Sequence, residues 1–290
     1  MPPKLTRIYS ENNDFQHIDA LRRGRAARHK YREFFLEGVR AINGALQHRW
    51  RLKTLVYSRD QPLSDWAQGI LADSPADLHL ELPLPLLATL SNKTEPSELL
   101  AVAAIPEDRL SRIPVRRDLC VVVFDRPASP GNLGSIIRSC DALRASGLIL
   151  TGHGADLYDP ETISASTGSL FAVPVVRQPG PAELLPWFER VRRTIGPIQI
   201  IGTSAHGSSL LDAHDLTKPT VLVIGNETWG MSAAYRELCD VILRIPIDGS
   251  ATSLNVASAA SIMLYEIDRQ RRAAGEAPPV EVRSPLSPAP

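Results

Sequence analysis

Three stretches of this chain gather the side chains that could hold and orient a polar substrate. In FDRPASPGNLGSIIR (124–138), Gly131 and Gly134 permit close backbone approach, Asn132 can cap a helix, and Arg138 follows inside that helix. Free N–H groups at a helix start, with a guanidinium nearby, make a phosphate grip. Neither GxGxxG nor GK[ST] is present, so the loop is not a dinucleotide or Walker loop. Taken alone it reads as a glycine turn with a surface arginine. In VIGNETWGMS (223–232) an apolar strand runs into Gly225, Asn226, Glu227 and Gly230. Its carboxylate could orient a ligand, or could cap the following helix through the helix dipole. In IPIDGSATSLNVASAASIMLYE (245–266) a flexible loop from Asp248 to Ser250 could fold around a ligand, with Thr252 or Ser253 as helix cap. The small face of Ala257, Ala260 and Ser261 equally suits tight internal or subunit packing.

Such loops need strands behind them. LCVVVFD is a continuous apolar run of the kind found in strands buried on both faces. After it come helical LGSIIRSCDALRA, strand GLILTG, an irregular stretch ending in FAVPVVR, helical AELLPWFERVRR and strands IQIIGTS and TVLVIGNE. A short helix SAAYRELC, strand DVILRIPI and a last helix from residue 253 to about 272 complete the unit. Alternating strands and helices imply an α/β domain with a largely parallel sheet covered on both sides. In such sheets ligands collect at the carboxyl ends of the strands, where all three loops fall.

Ahead of this lies a smaller α/β unit. Residues 1–24 read as a polar arm. EFFLEGVRAINGALQH reads as a helix, with Phe35, Val39, Ile42 and Leu46 at helical spacing, and LKTLVYS as a strand. Helical LSDWAQGILAD, LHLEL, LPLLATLSN and LLAVAAIP complete a domain at 25–106. The charged segment 107–118, which follows Pro106 and holds Pro114, reads as a linker, 119–272 as the second domain, and the proline-rich 273–290 as a disordered tail.

At 290 residues and 43% hydrophobic, the chain can bury two cores. It carries no apolar run long enough for a secretory h-region or membrane span, so a cytoplasmic protein is expected. Its three cysteines are widely spaced and its seven histidines lack metal-ligand spacing, so neither disulfide nor metal is expected. The net charge is zero, yet residues 1–60 hold 13 lysines and arginines against 6 acids. Arg22, Arg23, Arg25, Arg28 and Lys30 form the densest cluster, which could neutralise RNA phosphates or be a solvated basic face.

Together, NLGSIIR, IGNETWG and IPIDGSATSLNVASAASIMLYE resemble, in order and spacing, the three motifs of the SpoU (TrmH) branch of the SPOUT RNA 2′-O-ribose methyltransferases. The resemblance covers about 119–272, and the N-terminal unit is similar to that family's ribosomal-protein-like substrate-binding domain. It implies a C-terminal trefoil-knot domain, S-adenosylmethionine as methyl donor, and a homodimer whose sites draw on both chains. It implies cofactor contacts from Thr203, Ser204 and Ala205, from Ile224, Gly225, Asn226 and Gly230, and from Ile245, Ile247, Leu254 and Ala257. Asn132, Arg138, Glu227, Ser253 and Asn255 match the family's polar site positions. Arg138 matches the arginine proposed to act on the hydroxyl; since arginine stays protonated, electrostatic activation and phosphate binding fit it better than proton abstraction. One departure is Ile247, where the family usually has methionine. The implied substrate is 23S ribosomal RNA, at a uridine ribose, with resistance to a ribosome-targeting antibiotic. A transfer RNA methyltransferase and a non-catalytic RNA-binding protein of the same fold are the alternatives.

Overall fold

The computed structural model describes residues 3–74 and 76–275. The N-terminal domain is a five-stranded mixed sheet of β1 (Lys4–Arg7), β2 (Glu33–Glu37), β3 (Leu52–Ser58), β4 (Leu78–Leu82) and β5 (Leu99–Ala104), in the order β1-β4-β3-β5-β2. Strands β1, β4 and β3 are parallel, while β5 runs antiparallel to both its neighbours. Helices α1 (Asn13–Arg23), α2 (Arg25–Tyr31), α3 (Val39–Gln47), α4 (Asp65–Asp73) and α5 (Leu84–Leu90) cover it.

Two expectations fail here. The first 24 residues are not an arm, because β1 extends the sheet and α1 packs on it. The Asn12 side chain caps α1 at Phe15 N (3.0 Å), and Phe15, Ile18 and Leu21 bury one face of an otherwise polar helix. The run from Arg32 is not one helix either. Phe34, Phe35 and Leu36 are all buried in β2, and Gly38, at φ 93°, turns the chain into α3. A strand buried on both faces shows no alternation, so its aromatic run falls by chance onto a helical spacing with α3.

The second domain is a seven-stranded sheet in which every pairing is parallel: β6 (Cys120–Asp125), β7 (Gly147–Thr151), β8 (Val175–Gln178), β9 (Gln199–Thr203), β10 (Ser209–Leu210), β11 (Thr220–Ile224) and β12 (Val241–Arg244). Their order is β10-β12-β9-β11-β6-β7-β8. Every residue of β6, β7 and β11 is buried, as their unbroken apolar runs require. The helices are α6 (Pro130–Ala142), α7 (Pro160–Ser166), α8 (Ser169–Ala172), α9 (Leu185–Ile195), α10 (Ala233–Leu238) and α11 (Val256–Ala273). From β6 the chain progresses to β7 and β8 on one side, then returns through β9, β11 and β12 on the other. The switch therefore lies at β6 and β11, whose carboxyl ends carry the first two loops.

The segment 107–118, expected to be a linker, holds one 3₁₀ turn (Leu110–Arg112) and is tied down. Asp108 accepts hydrogen bonds from the Arg177 backbone and guanidinium, and Ile113 is buried. One hydrophobic cluster runs through both domains, joining Phe34, Leu36 and Ile42 to Leu148, Leu170 and Phe171. Trp50 donates its indole N–H to Phe171 O at 3.0 Å across that joint. The expected disordered tail lies, from residue 276, outside the described residues.

Candidate functional site

At the carboxyl ends of β9, β11 and β12 the second and third loops, with residues 203–206 after β9, bound a cleft of about 370 Å³, and the first loop lies beside it, hydrogen-bonded to Glu227. Its floor is made by residues such as Ile224, Leu243 and Met263, and its polar margin by Thr203, Ser204, Asn226, Glu227 and Ser253. Of the eleven residues expected to hold a cofactor, Thr203, Ser204, Ala205, Ile224, Gly225, Asn226, Gly230, Ile245, Ile247 and Leu254 line it. Ala257 does not. It is buried in the core through which α11 packs on α6, so its small size serves helix packing. Gly225 is obligatory: a Cβ there would lie 2.1 Å from Met231 N.

Beside the cleft, one chain of hydrogen bonds joins all three motifs. Glu227 accepts from Ala128 N (2.8 Å) and Ser129 N (3.0 Å), the two residues leading into α6. It also accepts from Asn132 Nδ2 at 3.2 Å. Because a carboxylate can only accept, the Asn132 amide is oriented, and its Oδ1 is left to take the Asn255 Nδ2 proton at 3.1 Å. Asn255 Oδ1 in turn accepts from Ala257 N (2.8 Å) and Ser258 N (3.3 Å) at the start of α11. Asn132 is thus the link between the second and third motifs.

This arrangement reassigns the caps read from sequence. Ser129, not Asn132, caps α6, accepting from Asn132 N at 3.3 Å. Asn255, not Thr252 or Ser253, caps α11. Glu227 serves the N-terminal end of α6 rather than the helix that follows it. At both caps the sequence holds more than one residue of similar cap propensity within a few positions, and the fold chose among them.

A second clasp went unrecognised in sequence. Arg126 adopts a left-handed backbone (φ 53°), and its guanidinium grips Asp125 bidentately at 3.0–3.1 Å while donating to Gly230 O at 3.2 Å. The hydrogen bonds to Asp125 raise its pKa above the ordinary arginine value. Asn226 Nδ2 returns a bond to Arg126 O (2.7 Å), and buried Asp125 accepts from Ser232 N (2.8 Å). Both ends of the second-motif loop are therefore fastened to the first. His206, Trp229, Met231 and Arg236 also line the cleft without having been singled out.

Arg138 is placed differently. It is exposed on α6 with no side-chain hydrogen bond among the described residues, and it does not line the cleft of its own chain. Six residues past Asn132 on a helix, it lies about 9 Å further along the axis.

The basic cluster divides. Arg28 is 2% exposed and no phosphate ligand: it bonds Asp156 (2.7 Å), Asp159 (3.2 Å) and the carbonyls of Leu21 and Arg22. Arg25 reaches Gly154 O at 2.7 Å, while Arg22 and Arg23 both pair with Asp19. Lys30 is exposed, 5.0 Å from the Tyr31 ring centroid. The acidic partners of Arg28 lie some 130 residues away in sequence, which is why the helix looked like a free basic face.

Residues 119–265 match the SpoU rRNA methylase family. The chain belongs to that family. The SpoU domain is preceded, at residues 12–101, by a match to the SpoU L30e-like domain, which includes the α1 segment expected to be an arm. A 23S rRNA (uridine(2479)-2′-O)-methyltransferase of Streptomyces viridochromogenes is 48% identical over 93% of this chain and 94% of its own. The crystal structure of the SpoU methyltransferase AviRb from that organism, in complex with AdoMet, superposes with a TM-score of 0.86, covering 90% of this chain and 99% of that one at 48% identity. RlmP of Bacillus subtilis, a 23S rRNA (guanosine(2553)-2′-O)-methyltransferase, is 29% identical over 83% of this chain and 90% of its own. The likeness to SpoU methyltransferases thus extends along nearly the whole chain.

Proposed function

We propose that this protein transfers a methyl group from S-adenosylmethionine to a ribose 2′-hydroxyl of 23S ribosomal RNA. The observation that carries the reading is the Glu227–Asn132–Asn255 chain, which fixes all three motifs at the edge of one cleft. The cleft suits the cofactor: its volume lies in the range of small-molecule sites, with an apolar wall and backbone and hydroxyl groups at its margins. Thr203, Ile224, Ile245, Ile247 and Leu254 would hold it, and bound there it supplies the methyl group on a sulfonium.

A ribose hydroxyl is a poor nucleophile, so the protein must align it and assist loss of its proton. The polar ridge of Asn132, Ser253 and Asn255 would align the ribose, and Arg138 would bind the adjoining phosphate and favour developing negative charge on the hydroxyl oxygen. Because Arg138 stands outside its own chain's cleft, it would serve the site of a second copy. Exposed Leu254, Ile262 and Tyr265, near or on α11, support such a homodimer. Exposed Arg23 and Lys30 remain as RNA contacts on the N-terminal domain, with Arg22 and Arg25 at its edge. A uridine target, protection of the ribosome against an antibiotic, a trefoil knot in the C-terminal domain and a cytoplasmic location complete the reading. No helix among the described residues is long and apolar enough to cross a membrane.

The test is to incubate the protein with S-adenosylmethionine and, separately, 23S rRNA and bulk transfer RNA. Reverse-transcriptase stops at low nucleotide concentration then locate the product. A single stop in 23S rRNA is expected; modification of transfer RNA alone would replace this reading with the transfer RNA one.

A further inference from the structure

Trp229 is 76% exposed, the most exposed of the large hydrophobic side chains described, and it stands at the cleft margin. Its exposure does not come from a loose loop. Asn226 and Gly230 exchange two backbone hydrogen bonds (3.1 and 2.9 Å), and Asn226 Oδ1 accepts from both Thr228 N (2.9 Å) and Trp229 N (3.0 Å). Gly230, at φ 67°, closes the turn, and the Arg126 clasp holds it from behind. The backbone beneath the indole is therefore fixed, while among the described residues the ring has no aromatic partner and its N–H no acceptor. Arg236 lines the same margin, exposed and without a side-chain partner among the described residues.

We infer that Trp229 forms a nucleobase-stacking subsite for a base of the substrate RNA adjoining the reacting ribose. The inference rests on the RNA methyltransferase reading. A ribose hydroxyl must be brought to the Asn132–Asn255 ridge, which separates that nucleotide from its stacked neighbours; a rigid aromatic face at the mouth replaces the lost stack. Arg236 alongside supplies a cation for the flanking phosphate. Stacking accepts any base, because every base has a π face. The subsite therefore positions the nucleotide and does not select it, which accords with relatives that act on a uridine and on a guanosine.

The chain's four tryptophans make this directly measurable. Trp187 is 2% exposed, and Trp50 and Trp66 are half-buried with bonded indole groups, so acrylamide-quenchable fluorescence comes chiefly from Trp229. The full-length protein is saturated with S-adenosylhomocysteine and titrated with a 23S rRNA transcript. Binding of the RNA should shield Trp229 from acrylamide, while the cofactor product alone should not. Trp229→Ala should raise the KM for rRNA about 5- to 100-fold, Trp229→Phe should recover most of it, and affinity for S-adenosylhomocysteine should be unchanged in both. Shielding by S-adenosylhomocysteine alone would assign the ring to the cofactor, and shielding before any ligand would assign it to a second copy of the chain; either overturns the subsite. An unchanged KM in Trp229→Ala does the same. If RNA shields the ring but no RNA is methylated, the stacking subsite stands and the proposed activity falls.

Discussion

Two polar clusters, each holding arginine and acidic side chains, face different fates in this molecule. At the joint between the domains, Arg28 is sunk to 2% exposure, with four hydrogen bonds and two aspartates around it. At the cleft, the asparagines and glutamate of the three motifs are linked to one another, but Arg236 at its margin and Arg138 further along α6 stand exposed with no side-chain partner among the described residues. Buried and fully paired charge fixes how the halves of the chain sit together. Exposed and unspent charge beside a cavity is available to a phosphate. Burial and pairing, not residue type, separate the two.

Removing Arg28 should have the largest consequence. Arg28→Met leaves Asp156 buried without its cation, which costs about 3–5 kcal/mol, read as a fall in the denaturant midpoint. The comparison breaks if stability holds. Arg138→Ala should do the reverse: unfolding and cofactor affinity unchanged, with kcat lower by about 100- to 1000-fold if it stabilises charge at the hydroxyl. An active variant removes Arg138 from the site. Glu227→Gln sharpens the contrast, since it keeps the shape but replaces an acceptor-only group that ties three donors; kcat/KM should fall about 10- to 100-fold with a minor change in stability. Asn255→Ala loses the α11 cap as well as the Asn132 link, and should cost about 1 kcal/mol in unfolding beyond its effect on activity.

The smallest effect is a pH dependence at the joint. Burial, and then the charge of Arg177, lower the pKa of His29 from its ordinary 6.5. The unfolded chain then binds the proton more readily, so stability is unaffected above pH 6.5 and declines as pH falls from there towards the lowered value. His29→Gln should flatten that decline in thermal melts at pH 7 and pH 5.5. It is exposed, so the change is small.

The cleft was more legible in sequence than the joint. Strand ends, glycines and polar residues lie within a few positions of one another in each motif, so local reading found the loops, and the family resemblance named ten residues that line the cleft. The joint depends on Arg28 meeting Asp156 and Asp159, a distance in sequence that no periodicity spans. The β2 strand was hidden because Phe34, Phe35 and Leu36 bury both faces and leave no alternation. The α1 segment was hidden because three apolar residues in a polar run suffice to cover a sheet edge. Ala257 lies in the core and off the cleft, the packing role its small face also allowed in sequence. Trp229 stood in plain view within its motif, but only the structure shows its ring facing water on a fixed loop.

The most direct test of the central claim, that the three motifs form one 2′-O-transfer site, is alkaline hydrolysis of 23S rRNA after reaction with S-adenosylmethionine carrying a labelled methyl group. A 2′-O-methyl blocks cleavage at its own phosphodiester, so the account predicts the label in an alkali-stable dinucleotide, formed about 100- to 1000-fold more slowly with Arg138→Ala. Label released in mononucleotides, or unlabelled rRNA from a cofactor-binding wild-type protein, would contradict it.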